Sequence, residues 1–131
     1  MRHRSIGFCP FCAPPEFSAA GAGPSAPRRL SYEILARIDG PTEDFETVIA
    51  TAEVGPDFDV PRHLHPGIES AYIVAGGGLL LVEGAAPREL RAGDVAQIPA
   101  RRPHSFRTGG AVTRIVSTYV LERGQPLSIP V

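Results

Sequence analysis

The sequence predicts an all-β fold, an antiparallel sandwich or barrel made of short strands. Fourteen prolines and fourteen glycines interrupt the 131-residue chain, and tryptophan is absent. The segments between these breaks are short and rich in β-branched residues, and none repeats with the helical period of 3.6 residues. With 43% hydrophobic and 21% charged residues, the composition is that of one globular domain.

Residues 1–29 come before the first strand-like segment and are rich in Pro, Ala, Gly and Ser. We expect a flexible tail here and a core domain over residues 30–131. The first residues are basic, as in a secretory signal, but Pro10, Pro14, Pro15 and Glu16 interrupt any apolar core. A cytoplasmic location is therefore expected.

Both cysteines lie in this tail, as CPFC. Cys9 and Cys12 have the spacing of a redox dithiol or of half a zinc site. No strand is predicted before the pair, and only His3 could add a nearby ligand. Two reduced thiols, or an arm that contacts a partner, are the alternatives, and the sequence leaves the role of the pair open.

Nine segments between turn signals are predicted strands. The second, residues 45–54, alternates around Val48, Ala50 and Ala52 and is ended by Gly55-Pro56-Asp57. In chain order the nine segments are residues 31–38, 45–54, 60–65, 69–75, 79–83, 88–91, 94–98, 104–108 and 112–121.

Charge and hydropathy argue against two classes of partner. The 13 basic residues are all arginines, the 14 acids are not clustered, and the formal net charge is −1. Because no basic stripe is present to follow a phosphate backbone, nucleic acid is not expected as a partner. No apolar run approaches the roughly 20 residues that cross a bilayer, so no membrane partner is expected either.

The stretch HLHPGIE combines residues that bind metal ions. In an extended strand, His63 and His65 point to the same side. Pro66-Gly67 predicts a hairpin that brings Glu69 beside them from the adjacent strand, and His104 can complete a set of three imidazoles and one carboxylate. At these residue frequencies, HxH with this glutamate arises by chance in about one sequence in a hundred.

Two stretches resemble the conserved motifs of the cupin superfamily. HLHPGIESAYIVAGG is similar to the first motif, HxH-x3-E-x6-G, and GDVAQIPARRPHSFRT to the second, G-x5-P-x-G-x2-H-x3-N. The matching residues are His63, His65, Glu69 and Gly76 in the first and Gly93, Pro99 and His104 in the second. The resemblance covers about residues 45–121. It implies a small single-domain cupin similar to the quercetin dioxygenase-like type, a jelly-roll barrel also called a double-stranded β-helix.

Three positions depart from these motifs. Asp57 stands where a glycine usually precedes the first histidine, Arg101 replaces the glycine after the proline, and Thr108 replaces the final asparagine. These are turn or capping positions, so we expect the departures to affect loop geometry more than ligation.

We predict that His63, His65, Glu69 and His104 bind a divalent metal ion. Three imidazoles and a carboxylate suit Fe, Mn, Ni, Zn or Cu, so the identity of the ion stays open. Four protein ligands leave positions for substrate on an ion that accepts six, which is typical of a reactive centre.

The same alternation predicts the wall of a pocket for a small-molecule ligand. If Glu69 and His104 face inward, then Ala71, Ile73, Phe106 and Thr108 do so as well, although plain core filling would look the same. Tyr72 is a further pocket candidate, and Arg101 at the barrel mouth could bind an anionic ligand.

The missing residue types favour chemistry centred on the ion. The chain has no lysine, and His3 is its one histidine outside the motifs, so only Tyr72, Tyr119 or a freed Glu69 could move protons. This favours a metal-dependent dioxygenase, with Glu69 as ligand or base, over a cupin isomerase. A non-catalytic cupin that binds or senses a small molecule is the competing hypothesis. The resemblance also leads us to expect a homodimer, which would bury exposed strand edges.

Overall fold

The computed structural model describes residues 29–131. Cys9, Cys12 and the first 28 residues of the predicted tail lie outside the described residues, so the predictions made for them stay predictions. The described chain folds into ten strands: β1 (Leu30–Asp39), β2 (Phe45–Val54), β3 (Asp59–Leu64), β4 (Gly67–Ala75), β5 (Gly77–Val82), β6 (Arg88–Arg91), β7 (Val95–Ile98), β8 (His104–Thr108), β9 (Thr113–Glu122) and β10 (Ile129–Pro130). Within residues 29–131, no helix is long and apolar enough to span a membrane.

The strands form two five-stranded antiparallel sheets. Sheet A has the order β1-β2-β9-β4-β7, and sheet B has the order β10-β3-β8-β5-β6. From β2 onward the chain passes back and forth between the sheets, and the hairpin of β5 and β6 is the one place where it stays in the same sheet. The predicted all-β, double-stranded β-helix is therefore confirmed.

All nine predicted strands are present, with ends shifted by two residues at most. The strand that the sequence did not predict is β10, whose two residues pair with β3 opposite His63 and Leu64. Two residues are too few to show an alternating pattern, so no periodicity could have revealed this strand.

The prediction of a hairpin at Pro66-Gly67 is wrong, because the strands on either side of this turn belong to different sheets. β3 pairs with β8 and β10, whereas β4 pairs with β7 and β9, so the turn carries the chain from sheet B to sheet A. A glycine is needed here because a Cβ on Gly67 would lie 1.7 Å from the carbonyl oxygen of Val120. Glu69 thus approaches the histidines from the facing sheet rather than from the adjacent strand.

The apolar core lies between the sheets in two clusters. The larger contains Ile73, Leu80, Leu90, Ala96, Ile98 and Phe106, and the smaller contains Val48, Ala50, Tyr119 and Leu121. The outer side of sheet A exposes Ile49, Ile68, Tyr72 and Val95. This apolar surface is compatible with the expected homodimer, which stays a prediction.

Two of the motif departures keep the backbone geometry of glycine. Asp57 and Arg101 have positive φ values, 50° and 59°, and they are the two non-glycine residues in residues 29–131 that do. A left-handed conformation costs a non-glycine residue about 1–2 kcal/mol, less for Asp than for most. The loops therefore retain a backbone shape that suits glycine, and the non-glycine residues adopt it at a conformational cost.

We expect Arg101→Gly to leave the free energy of unfolding unchanged or to raise it slightly. The substitution removes the left-handed strain, and its costs are the greater freedom of glycine in the unfolded chain and the loss of an exposed ion pair with Glu122, which contributes about 0–1 kcal/mol. The neighbouring Arg102→Gly also adds the freedom of glycine to the unfolded chain, but it relieves no left-handed strain. It should therefore lower the free energy of unfolding by about 0.5–1 kcal/mol. Urea unfolding of the two variants checks this, and equal losses in both would contradict it.

Candidate metal centre

Three histidines from two parts of the chain meet on sheet B. His63 pairs with His104 in the β3–β8 ladder, and His65 lies one residue beyond the end of β3. One ring nitrogen of each lies within 4.8 Å of the others. The ring centroids are 4.4 Å apart for His63 and His104, and 4.9 and 5.0 Å apart for the two pairs that include His65.

Each imidazole is oriented by a backbone carbonyl. Nδ1 of His63 lies 2.7 Å from Pro61 O, Nδ1 of His65 lies 2.6 Å from Leu127 O, and Nδ1 of His104 lies 2.8 Å from Arg102 O. A carbonyl oxygen can only accept a hydrogen bond, so each Nδ1 carries the proton. In the neutral rings this leaves the lone pair on Nε2, the state in which imidazole binds a metal.

Glu69 completes the cluster from sheet A. Its Oε2 atom lies 3.1 Å from Nε2 of His65 and 3.4 Å from Nε2 of His104. Its Oε1 atom accepts hydrogen bonds from Ser117 Oγ at 2.9 Å and from Tyr119 Oη at 3.2 Å. The two oxygens of one buried carboxylate therefore face different partners.

The surroundings perturb the pKa values of three groups in the cluster. Burial opposes ionisation of Glu69, but the hydrogen bonds and positive charge that His104 and His65 supply when their rings are protonated outweigh it and hold the pKa of the carboxyl well below its usual range. Burial lowers the pKa of His63, and burial together with the charge of Glu69 raises the pKa of Tyr119. Glu69 is thus a carboxylate at neutral pH, and Tyr119 is a neutral phenol.

The arrangement requires positive charge at its centre. Nε2 of His65 is buried and has no hydrogen-bond partner, although it lies close to a carboxylate oxygen. Two lone pairs facing each other in a buried site repel, unless a proton or a cation lies between them. Three nitrogens and an oxygen are donors that divalent transition metals accept. His63, His65 and His104 can therefore hold a metal ion.

A cavity of about 630 Å³ adjoins the cluster. Ala71, Ile73 and Phe106 line it, and so do the three histidines and Glu69. Most of the other lining residues are apolar: Leu30, Ala52, Val54, Val60, Leu80, Leu90, Ala96, Ile98, Ile115 and Leu127. The volume is within the range of pockets that bind small molecules.

Three of the predicted pocket residues lie elsewhere. Thr108 is buried, but its hydroxyl binds the backbone of Gly55 and Phe58 and so holds the loop between β2 and β3. Tyr72 points outward, because neighbours on a strand face opposite sides and Ala71 takes the inner one. Arg101 forms an exposed ion pair with Glu122, 3.0 Å away, and does not line the cavity.

Some residues of the site lie outside the predicted metal ligands and pocket. Ser117 belongs to neither motif, and Tyr119 is predicted only as a group that could move protons. Both alternate with outward-facing residues along β9, a pattern from which they could be found. Leu127, Ser128 and Pro130 also line the cavity. No sequence signal marks them, because this segment is irregular except for the two residues of β10.

A family model described as a cupin domain matches residues 50–125, more than half of the chain. The chain belongs to the cupin family. The match includes both histidine segments and Glu69, so the cluster described above lies within the part of this cupin that defines the family.

Two curated relatives share part of the sequence. The cupin is 39% identical over 71 residues to the dimethylsulfoniopropionate lyase DddQ of Ruegeria pomeroyi, covering 54% of this chain and 34% of the lyase. It is 37% identical over 73 residues to quercetin 2,3-dioxygenase of Bacillus subtilis, covering 56% of this chain and 21% of the dioxygenase. The chain thus spans about a third and a fifth of the lengths of these relatives.

Solved structures share the fold. The crystal structure of the Ruegeria pomeroyi lyase superposes with a TM-score of 0.66 at 24% identity, over 78% of this chain and 51% of the other. The polyketide cyclase RemF from Streptomyces resistomycificus superposes with a TM-score of 0.60 at 26% identity, over 79% and 72%. The similar proteins carry different activities, so the fold alone does not select one.

We expect the protein purified without added metal to contain about one transition-metal ion per chain, and His104→Ala to lose most of it. Removing one of three nitrogens should weaken binding by about two orders of magnitude or more, since even indirect partners of a ligand contribute 10–100-fold. Elemental analysis measures the content. Arg102→Ala, which changes an exposed side chain but keeps the carbonyl that orients His104, is the control. Equal metal content in both variants would contradict the assignment of His104 as a metal ligand.

Proposed function

We propose that this cupin is a divalent-metal-dependent oxygenase that acts on a small organic substrate bound in the barrel. The observation that carries the proposal is the convergence of one ring nitrogen from each of three histidines, with a carboxylate oxygen 3.1 and 3.4 Å from two of them, at the wall of a mainly apolar cavity. The quercetin 2,3-dioxygenase among the relatives supports it.

His63, His65, His104 and Glu69 would hold the ion, and Fe, Mn, Ni, Zn or Cu would suit this donor set. When bound, such an ion supplies Lewis-acid or redox chemistry at the positions that the protein leaves open. The proposal favours a redox-active ion, since an oxygenase transfers oxygen from dioxygen to its substrate.

The cavity wall supplies the environment for the reaction. Ile73, Leu80 and Phe106 are buried apolar residues of the core that also line the cavity. They would bind the carbon skeleton of a substrate and exclude water, which strengthens electrostatic interactions at the polar end. A substrate with an enol or phenol group would place its oxygen at the histidines and its apolar part against these residues.

The groups that could move protons are few and lie near the ligands. Glu69 is the proposed catalytic residue, as a ligand throughout or as the base that accepts the proton of an enol or phenol. Tyr119 donates a hydrogen bond to Glu69 and has a raised pKa, so it keeps its proton and orients the carboxylate instead of exchanging a proton with the substrate. Because residues 29–131 give the cavity no lysine and no further histidine, chemistry that depends on a separate base is disfavoured.

A non-catalytic cupin that binds or senses a small molecule is the second candidate, and the same scarcity of acid and base groups favours it. An ion and an apolar cavity are sufficient for binding. Two relatives are named for lyase and cyclase activities, so a reaction that uses no oxygen, including an isomerisation, is the remaining catalytic alternative.

We expect metal-loaded protein to consume a flavonol or a 1,3-diketone together with dioxygen, and to stop when oxygen is removed. Quercetin and acetylacetone are suitable first substrates, followed by absorbance and with an oxygen electrode. His104→Ala should lower the rate by about two orders of magnitude or more because the metal is lost. Turnover that continues without oxygen would favour the lyase or isomerase class. Binding of the test compounds without turnover would favour the sensing role.

A further inference from the structure

Two hydroxyl groups bind the same oxygen of Glu69. Ser117 and Tyr119 are two residues apart on β9 and face the interior together. The ladder between β4 and β9 pairs Tyr119 with Glu69, and Ser117 with Ala71. The register of sheet A therefore places both hydroxyls beside the carboxylate, and both donate to Oε1.

The other oxygen of Glu69 is left to the histidines. Oε2 lies 3.1 and 3.4 Å from Nε2 of His65 and His104. A carboxylate oxygen has two lone pairs, and the two donors engage both lone pairs of Oε1. Glu69 thus presents one free oxygen to the centre of the cluster instead of two.

We propose that Ser117 and Tyr119 are positioning residues that restrict Glu69 to binding the metal through one oxygen. The inference rests on the proposed function. Three nitrogens and one oxygen fill four positions on an ion that accepts six, whereas binding through both oxygens would fill five. The two hydroxyls would therefore keep two positions open, the number that a substrate chelating through two oxygens requires.

Burial makes this restriction effective. Ser117 and Tyr119 are 3% and 8% exposed, and Glu69 is 8% exposed. Oε1 accepts no other side-chain hydrogen bond from residues 29–131, so the loss of both hydroxyls leaves it without a protein donor. A freed Oε1 would then turn toward the ion. Buried hydroxyls also need partners for stability alone, so the test must separate positioning from packing.

A matched pair of double variants makes this separation. Ser117→Ala with Tyr119→Phe removes the two hydroxyls beside Glu69, and Ser70→Ala with Tyr72→Phe removes the same atoms from the outer side of β4. Each protein is loaded with Co(II), and its metal content and visible absorption spectrum are measured. Acetohydroxamate, which chelates through two oxygens, is then titrated into each, and its Kd is read from the same spectrum.

We expect all three proteins to bind about one cobalt ion per chain. In the Ser117→Ala/Tyr119→Phe protein, the cobalt bands should weaken, as they do at higher coordination number, and the Kd for acetohydroxamate should rise about 10-fold or more. The Ser70→Ala/Tyr72→Phe protein should match the unmodified chain in both measurements.

An unchanged spectrum and an unchanged Kd in the Ser117→Ala/Tyr119→Phe protein would overturn the proposal. If that protein fails to fold, the Tyr119→Phe variant alone provides the test. Its Kd for acetohydroxamate should rise about 3-fold, because Ser117 still donates a hydrogen bond to Glu69. Failure of the unmodified chain to bind cobalt would overturn the proposed function itself, and metal content reports that separately from the Kd.

Discussion

The repulsion between a buried carboxylate and the lone pairs of two imidazoles is the constraint on which the site depends. Rotation does not relieve it, because every ring is hydrogen-bonded through its other nitrogen. A proton or a metal cation between the donor atoms does. The fold therefore brings together donor atoms that a cation can bridge.

The geometry of the cluster is fixed by backbone atoms more than by side-chain packing. The carbonyls that orient the three rings come from residues next to two of the histidines and from a segment more than sixty residues away in the case of His65. The carboxylate is fixed in a different way, by hydroxyls on the neighbouring strand. The orientation of His63 and His104 thus depends on local backbone conformation, that of His65 on a distant segment of the chain, and that of the carboxylate on strand register in sheet A.

The strands and the candidate metal-binding residues could be predicted from the sequence because both are local patterns. Alternation and turn residues define segments such as β2, and HxH spacing puts two imidazoles on one side of a strand. The pairing of strands could not be predicted in this way. Pro66-Gly67 signals a turn, but the signal does not distinguish a hairpin from a crossing between sheets. The crossing depends on the close approach of Gly67 to the backbone of Val120, which is distant in the sequence. The inner position of Ser117 and the approach of Leu127 to His65 depend on the same long-range pairing.

The passage of the chain between the sheets has a consequence for folding kinetics. His63 and His104 are separated by β4 to β7, which belong to both sheets, and they become neighbours only through the β3–β8 ladder. Bringing such distant segments together is the slow part of folding in β proteins, since loop closure costs entropy before any contact compensates for it. The complete set of ligands exists only once this pairing has formed, so an ion that needs the whole set binds the folded chain and not the unfolded one. The free energy of unfolding should then rise with the concentration of that ion.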